Sequence, residues 1–332
     1  MGNRLRTYAL CCLAILTCGV LAACGSAVDT ADSEPSSEPS TSPTSDRTTE
    51  PTPEPTTSPS EPQDDETQSA DRSITIISTP WEETVAVSHL WQHVLGQNGY
   101  HVEVKEIADV AIAYPAMTTG DVDVFFGAWM PGQKTHLRDN RGSVEDLGPW
   151  FEHADTTIVV PNYVKAKTID DLGKIRKRLD GSILGIEPGS QLSETVKDDV
   201  IPKYGLRDMK LRPTSTPALI AALERATTAR KPIAATLWHP HWAYEELPIK
   251  DLADPKNALG KPSSIHTIVR QDLRSENRAI AKALDDFTMT DAQLESLMAT
   301  IHRASGDRPA KAAARWAAKH KKFVNGMLKV DG

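Results

Sequence analysis

Ile74-Thr75-Ile76-Ile77-Ser78 is a short β-branched run, and the helices and strands after it decide the fold. Residues 84–98 place Val87, Leu90, Trp91, Val94 and Leu95 at helical spacing, and Gly99 stops that helix. Residues 102–107 read as a second strand, 111–119 as a helix closed by Gly120, and 122–126 as a third strand. The order βαβαβ predicts a parallel sheet covered by helices.

Downstream the same alternation resumes. A strand at residues 158–160 is followed by a helix over 169–179, a strand at 183–186, a helix from about Ser193, a helix over 217–228 and a strand at 233–237. Residues 265–269 form a late strand, and the remainder is helical, with Thr290 and Gln293 spaced as a capping box before Leu294, Leu297 and Ile301. No internal repeat is visible. Two α/β units of this size put a cleft between them, where ligands usually bind, with the connections near Val160 and Ser264 as hinges.

Upstream, the chain gives an address. Arg4 and Arg6 precede a largely apolar run that ends in Leu21-Ala22-Ala23-Cys24-Gly25. The run is too short, with the wrong flanks, for an ordinary membrane span and reads as an export signal. Its ending resembles the lipobox of bacterial lipoproteins, which implies cleavage before Cys24 and acylation of that residue. Residues 25–72 are dominated by Ser, Thr, Pro, Asp and Glu, lack aromatic residues, and read as an extended tether.

The charge distribution agrees with this division. The chain holds 37 Lys and Arg against 45 Asp and Glu; residues 1–23 hold two bases, and residues 25–72 hold 12 acids and two bases. That leaves 33 of each sign for residues 73–332, so the folded part lacks the basic excess expected of a nucleic-acid binder. All four cysteines (Cys11, Cys12, Cys18, Cys24) lie in the first 24 residues, so the folded part has neither a disulfide nor a cysteine-based metal site.

There are 7 Trp but only 5 Phe and 6 Tyr, an inversion of common usage. Trp91 and Trp316 stand at core-like helical spacing and are expected to pack, while Trp150 fits no pattern. Trp81, Trp129 and Trp238 each fall within a few residues of the end of a strand, the edge that faces the ligand crevice in parallel α/β units. Three such rings are either ordinary core residues or an aromatic cage for a cation, and a cage suits a quaternary ammonium, which sacrifices less hydration than a lysine-like ammonium.

The motifs around these residues are specific in combination: Ser78-Thr79-Pro80-Trp81-Glu82-Glu83, then Gly120 through the segment Phe125-Phe126-Gly127-Ala128-Trp129-Met130-Pro131, then Gly185-Ile186-Glu187-Pro188-Gly189-Ser190, then Thr236-Leu237-Trp238-His239-Pro240-His241-Trp242. In this order they resemble the glycine betaine and proline betaine substrate-binding proteins of ABC transporters, over about residues 74–304. The resemblance implies an α/β, two-lobed periplasmic-binding-protein fold of type II-like architecture with the ligand cleft between lobes and a helical C-terminus. With the upstream reading, the chain is expected to divide into a signal peptide at residues 1–23, the lipidated cysteine and tether at 24–72, lobe I at 73–160 plus 265–332, and lobe II at 161–264.

It further implies that Trp81, Trp129 and Trp238 form the cage, and that the ligand carboxylate is held by backbone N–H groups at Gln191 and Leu192 and by a histidine after the Trp-x-Pro motif. A glycine-containing turn entering a helix points free N–H groups at an anion, though a plain capping turn would use the same residues. Here the histidine, His136, stands about two residues later than the pattern. Either His136 still reaches the ligand, which is the expectation, or Lys134 or Gln133 supplies the donor. The implied partners are a betaine-type small molecule, an ABC permease with its ATPase subunit, and the membrane through the lipid anchor; the protein is expected to be a monomer outside the cytoplasm, without cofactor or metal.

Other classes fit less well. His239 and His241 flank Pro240, but no motif supplies a third metal ligand, and His241 and Trp242 are expected to support the cage from behind. A lipid-anchored enzyme would need a positioned nucleophile and base; Gly-x-Ser-x-Gly, a Walker loop and a dinucleotide fingerprint are all absent. An envelope adhesin leaves the three strand-end Trp without a role. Within the binding class, choline- or carnitine-specific proteins remain open alternatives.

Overall fold

A computed structural model describes residues 72–304 and 308–328. The expected signal peptide, Cys24 and all but the last residue of the tether lie outside the described residues. The first elements are β1 (Ser73–Ser78), α1 (Glu82–Gln97), β2 (His101–Glu106), α2 (Val110–Thr118), β3 (Val124–Met130) and α3 (Lys134–Asp139). β1 lies between β2 and β3 and is parallel to both, with Ile76 beside Val104 on one side and Val124 on the other. This is the expected βαβαβ sheet. The β-branched run of β1 is buried because α1 covers it, with Val87, Leu90, Trp91, Val94 and Leu95 turned inward. Gly99 ends the helix at φ +83°, a conformation that strains any residue with a Cβ.

The chain continues through β4 (Val144–Pro161), α4 (Asp171–Ile175), β5 (Ser182–Gly185), α5 (Gln191–Thr195), α6 (Ile201–Lys203), β6 (Lys210–Pro213), α7 (Thr216–Thr228), β7 (Ala235–His239), α8 (Ala243–Glu246), β8 (Ile249–Asp251) and β9 (Ser263–Arg270). It closes with α9 (Leu273–Glu276), α10 (Arg278–Asp285), α11 (Asp291–His302), α12 (Pro309–Lys319) and α13 (Lys321–Met327). The strand order is β2-β1-β3-β9-β4-β7-β5-β6, with β8 beside β4.

β4 is the joint of this arrangement. Up to Ala154 it pairs antiparallel with β9, and from Asp155 onward it pairs antiparallel with β7. One continuous strand therefore belongs to two sheets: a first with β1, β2, β3 and β9, and a second with β5, β6, β7 and β8. The sequence shows only residues 158–160 of it, because register shifts between Asp146 and Ala154 break the two-residue period. The change of partner falls at Ala154–Asp155, upstream of the hinge position expected near Val160. Trp150, which fits no sequence pattern, sits in this strand with 1% exposure, donates its indole N–H to the Phe126 carbonyl at 2.9 Å and stacks on Phe287.

Two further expectations change in detail. The helix over 169–179 is a short α4 followed by a 3₁₀ turn at Arg176–Leu179, which ends where Asp180 adopts φ 50°. The helix expected from about Ser193 starts at Gln191, since Ser190 is its cap and accepts the Ser193 N–H at 3.2 Å, and it passes into a π-helical turn at Val196–Val200. The Thr290/Gln293 capping box is present as expected.

Trp316 on α12 is 1% exposed, donates to Ser296 Oγ at 3.0 Å, stacks on His320 and meets Phe323 edge-on. Trp316→Ala is expected to lower stability by about 3–5 kcal/mol, as a truncated core aromatic leaves a cavity. Chemical denaturation measures that loss, and ligand affinity of the remaining folded protein should be unchanged.

Candidate ligand-binding site

The carboxyl ends of the parallel strands β1 and β3 open to one edge of the first sheet, the usual place for a ligand crevice. Trp81 lies between β1 and α1, Trp129 is the penultimate residue of β3, and Trp238 is the penultimate residue of β7 in the second sheet. All three indoles line one cleft of about 580 Å³, together with Glu83, His136, Gln191 and Leu192. The structure thus brings together six sequence-predicted residues from five separate segments.

Glu83 is the centre of this cleft wall. It stands in the first turn of α1 with 0% exposure, and each of its oxygens accepts an indole N–H: Trp129 Nε1 to Oε1 at 3.1 Å and Trp238 Nε1 to Oε2 at 2.9 Å. Among the described residues no lysine or arginine pairs with it. Burial therefore outweighs the donors and lifts the carboxyl to about 7, against a usual 4.5.

The third indole makes the reciprocal contact. Trp81 Nε1 donates at 3.4 Å to Oε2 of Glu187, a buried residue just past β5 in the second sheet. Glu187 is in turn held by the first residue of α7: the Thr216 backbone N–H donates to Oε1 at 2.7 Å and the hydroxyl to Oε2 at 2.9 Å. Trp238 reaches from the second sheet to Glu83, and Trp81 from the first sheet to Glu187. With every indole N–H engaged, the rings present π surface and no free donor to the cleft.

At the other end of the cleft, Gln191 and Leu192 are the first residues of α5, positions whose N–H groups have no acceptor within the helix. The Gln191 side chain crosses to Gly132 and fills the space where a Cβ would stand, 1.2 Å from its Oε1. Of the three donors left open by the sequence, Gln133 is buried and committed: its oxygen accepts from Tyr114 Oη at 3.0 Å and its amide donates to the Gly127 carbonyl at 2.8 Å. Lys134 opens on a neighbouring groove with Asp146 and His266. His136 reaches the cleft wall, its ring stacked on Tyr114 at 5.5 Å.

Behind Trp238, His241 is fully buried, meets that indole edge-on at 4.9 Å and lies against Trp242, which stacks on His302. Burial depresses the His241 imidazole to about 3, so the ring is neutral, and Nδ1 accepts the Ala243 N–H at 3.0 Å. His239 is turned away to Asp251. Among the described residues, no group of three or more His, Cys, Asp or Glu is arranged to hold a metal ion.

Glu83 and Glu187 are the residues that sequence reasoning missed. Both lie inside the Trp81 and Pro-Gly-Ser motifs, but an acid in a first helical turn reads as a complement to the helix dipole, and nothing local reveals which indole it meets.

The family described as the substrate-binding domain of ABC-type glycine betaine transport systems matches residues 72–319. The glycine betaine/carnitine transport binding protein GbuC of Listeria monocytogenes is 33% identical over 168 residues, which are 49% of this chain and 54% of that protein. The match thus spans about half the length of GbuC. Lactococcal OpuAC, solved closed around glycine betaine, superposes with a TM-score of 0.71 at 32% identity, covering 78% of this chain and all of that one. The glycine betaine/L-proline-binding protein ProX of Borrelia burgdorferi superposes with a TM-score of 0.72 at 25% identity, covering 77% and 97%. The fold of these binding proteins is the one the sequence led us to expect, and this chain belongs to the substrate-binding domain family of ABC-type glycine betaine transport systems.

Proposed function

We propose that this protein captures a betaine, of the glycine betaine or proline betaine type, and delivers it to an ABC permease. The observation that carries this reading is the convergence of three indoles and a buried carboxylate on one cleft. A quaternary ammonium donates no conventional hydrogen bond, so against rings without free polar groups it loses less than an ammonium that needs acceptors. Each desolvated cation–π contact contributes about 0.5–2 kcal/mol. The N–H groups of Gln191 and Leu192, with His136, form the carboxylate end of the site.

Capture proceeds by closure of two lobes, residues 73–160 plus 265–332 and residues 161–264, about the crossings at β4 and ahead of β9. The reciprocal indole–carboxylate bonds and the approach of Gln191 to Gly132 support a closed form in which the two sheets touch through the ligand site. The protein is monomeric and stands outside the cytoplasm, held to the membrane by a lipid on Cys24 with residues 25–72 as the tether. Transport energy comes from the ATPase subunit of the partner permease.

Calorimetric titration of the full chain with glycine betaine, proline betaine, carnitine and choline tests this directly. One-to-one binding of the two betaines, with choline much weaker, is expected, because a site built to donate to a carboxylate leaves donors unpaired against choline. Silence from all four would return the tryptophans to a packing role. Trp129→Ala should weaken betaine binding by about two- to thirtyfold while the protein stays folded. His136→Ala should weaken betaine binding and leave choline binding unchanged; an equal loss for both ligands would remove His136 from the carboxylate end.

A further inference from the structure

Resting on the betaine reading of the cleft, we propose that capture of a cation there is coupled to the loss of one proton from Glu83. The geometry sets up this exchange. Glu83 is fully buried, lines the cleft, and touches two walls of the cage through the N–H edges of Trp129 and Trp238. Those donors favour the carboxylate, yet no lysine or arginine among the described residues balances its charge. A buried charge without a counter-ion is unfavourable, so burial favours the neutral acid of Glu83 until a cation is seated beside it.

A quaternary ammonium seated against the same two indoles supplies the missing positive charge. It favours the carboxylate, and the proton passes to solvent buffer through the cleft. The exchange replaces one buried positive charge, the proton, by another, the ligand cation, so the cleft never carries an unbalanced anion. Burial lifts the Glu83 carboxyl to about 7, which puts the exchange in the neutral range.

Other titratable or charged groups face the same space. Glu82 precedes Glu83 on α1, and burial together with the charge of Glu83 raises it too. Asp109, His136, Glu194 and Lys261 line the cleft, Glu187 lies behind Trp81, and neutral His241 lies behind Trp238. Choline, which has no carboxylate, isolates the cation end of the site from its carboxylate end.

The sign follows from linkage. Binding that removes a proton weakens as pH falls, approaching tenfold per pH unit below the free-site value of about 7. Calorimetry of the full chain with glycine betaine and with choline, in buffers of different ionisation enthalpy, counts the protons. Proton release per ligand is expected to rise as pH falls, from almost none well above neutrality toward one below it. Glu83→Gln, which keeps the shape, should bind more weakly at pH 8 and release none; Glu83→Asp, which keeps the charge, should restore release. A thermal melt confirms that each variant is folded.

Tight binding by the wild type with buffer-independent heat at pH 7 would overturn the coupling while leaving the betaine reading intact. Equal proton release by Glu83→Gln would also overturn it, by assigning the proton to another group. Failure of the wild type to bind any quaternary amine would overturn both readings together.

Discussion

Two indole–carboxylate hydrogen bonds cross the cleft in opposite directions, and the site depends on them. Trp238 of the second sheet donates to Glu83 of the first, while Trp81 of the first donates to Glu187 of the second. Neither carboxylate is tolerable in isolation, because a buried charge must be paired or hydrogen-bonded. Each is accommodated at a helix N-terminus: Glu83 sits in the first turn of α1, and Glu187 accepts from the first residue of α7. A hydrogen bond to a charged group contributes about 1.5–3 kcal/mol, enough to set ring orientation and not enough to lock the halves together.

The seven tryptophans divide by what their N–H groups meet. Trp150 and Trp316 bond to a backbone carbonyl and a serine hydroxyl within an aromatic core that includes Phe126, Phe287 and Phe323, and Trp91 stacks into the same core. The three cleft residues bond to carboxylates, and Trp242 stacks on His302 behind them. Indole serves both purposes because it is a large apolar surface with one donor at its edge. β4 makes the division possible: as a strand shared by both sheets, it fixes where the carboxyl ends of β1 and β3 meet β7.

Much of the fold is legible in the sequence because it rests on local periodicity. The ends of β1, α1, β2 and α2 fall within two residues of those the pattern predicts, since each has its own apolar period and a glycine or cap to stop it. β4 is different. Its bulged register removes the alternation by which a strand is recognised, and Trp150 cannot be placed without it. At the site, the three tryptophans stand out by their position at strand ends, and all three face the cleft. Among the donors left open after Trp129, the choice needs the structure: Gln133 is spent on Tyr114 and Gly127, and Lys134 faces a different groove.

The sequence by itself determined the alternation of strands and helices, the balanced charge of residues 73–332 after an acidic stretch rich in Ser, Thr and Pro, and the tryptophans that stand at strand ends. These are properties of neighbours along the chain: side-chain period, turn residues and composition. Only the tertiary structure decided that Glu83 would take two indole N–H groups from residues 46 and 155 positions away, and that Glu187 would take the third from 106 positions away. Such bonds carry no local signal. They arise when two sheets joined by one strand bring distant segments face to face, and burial then alters the chemistry of a carboxyl group that its sequence neighbours leave ordinary.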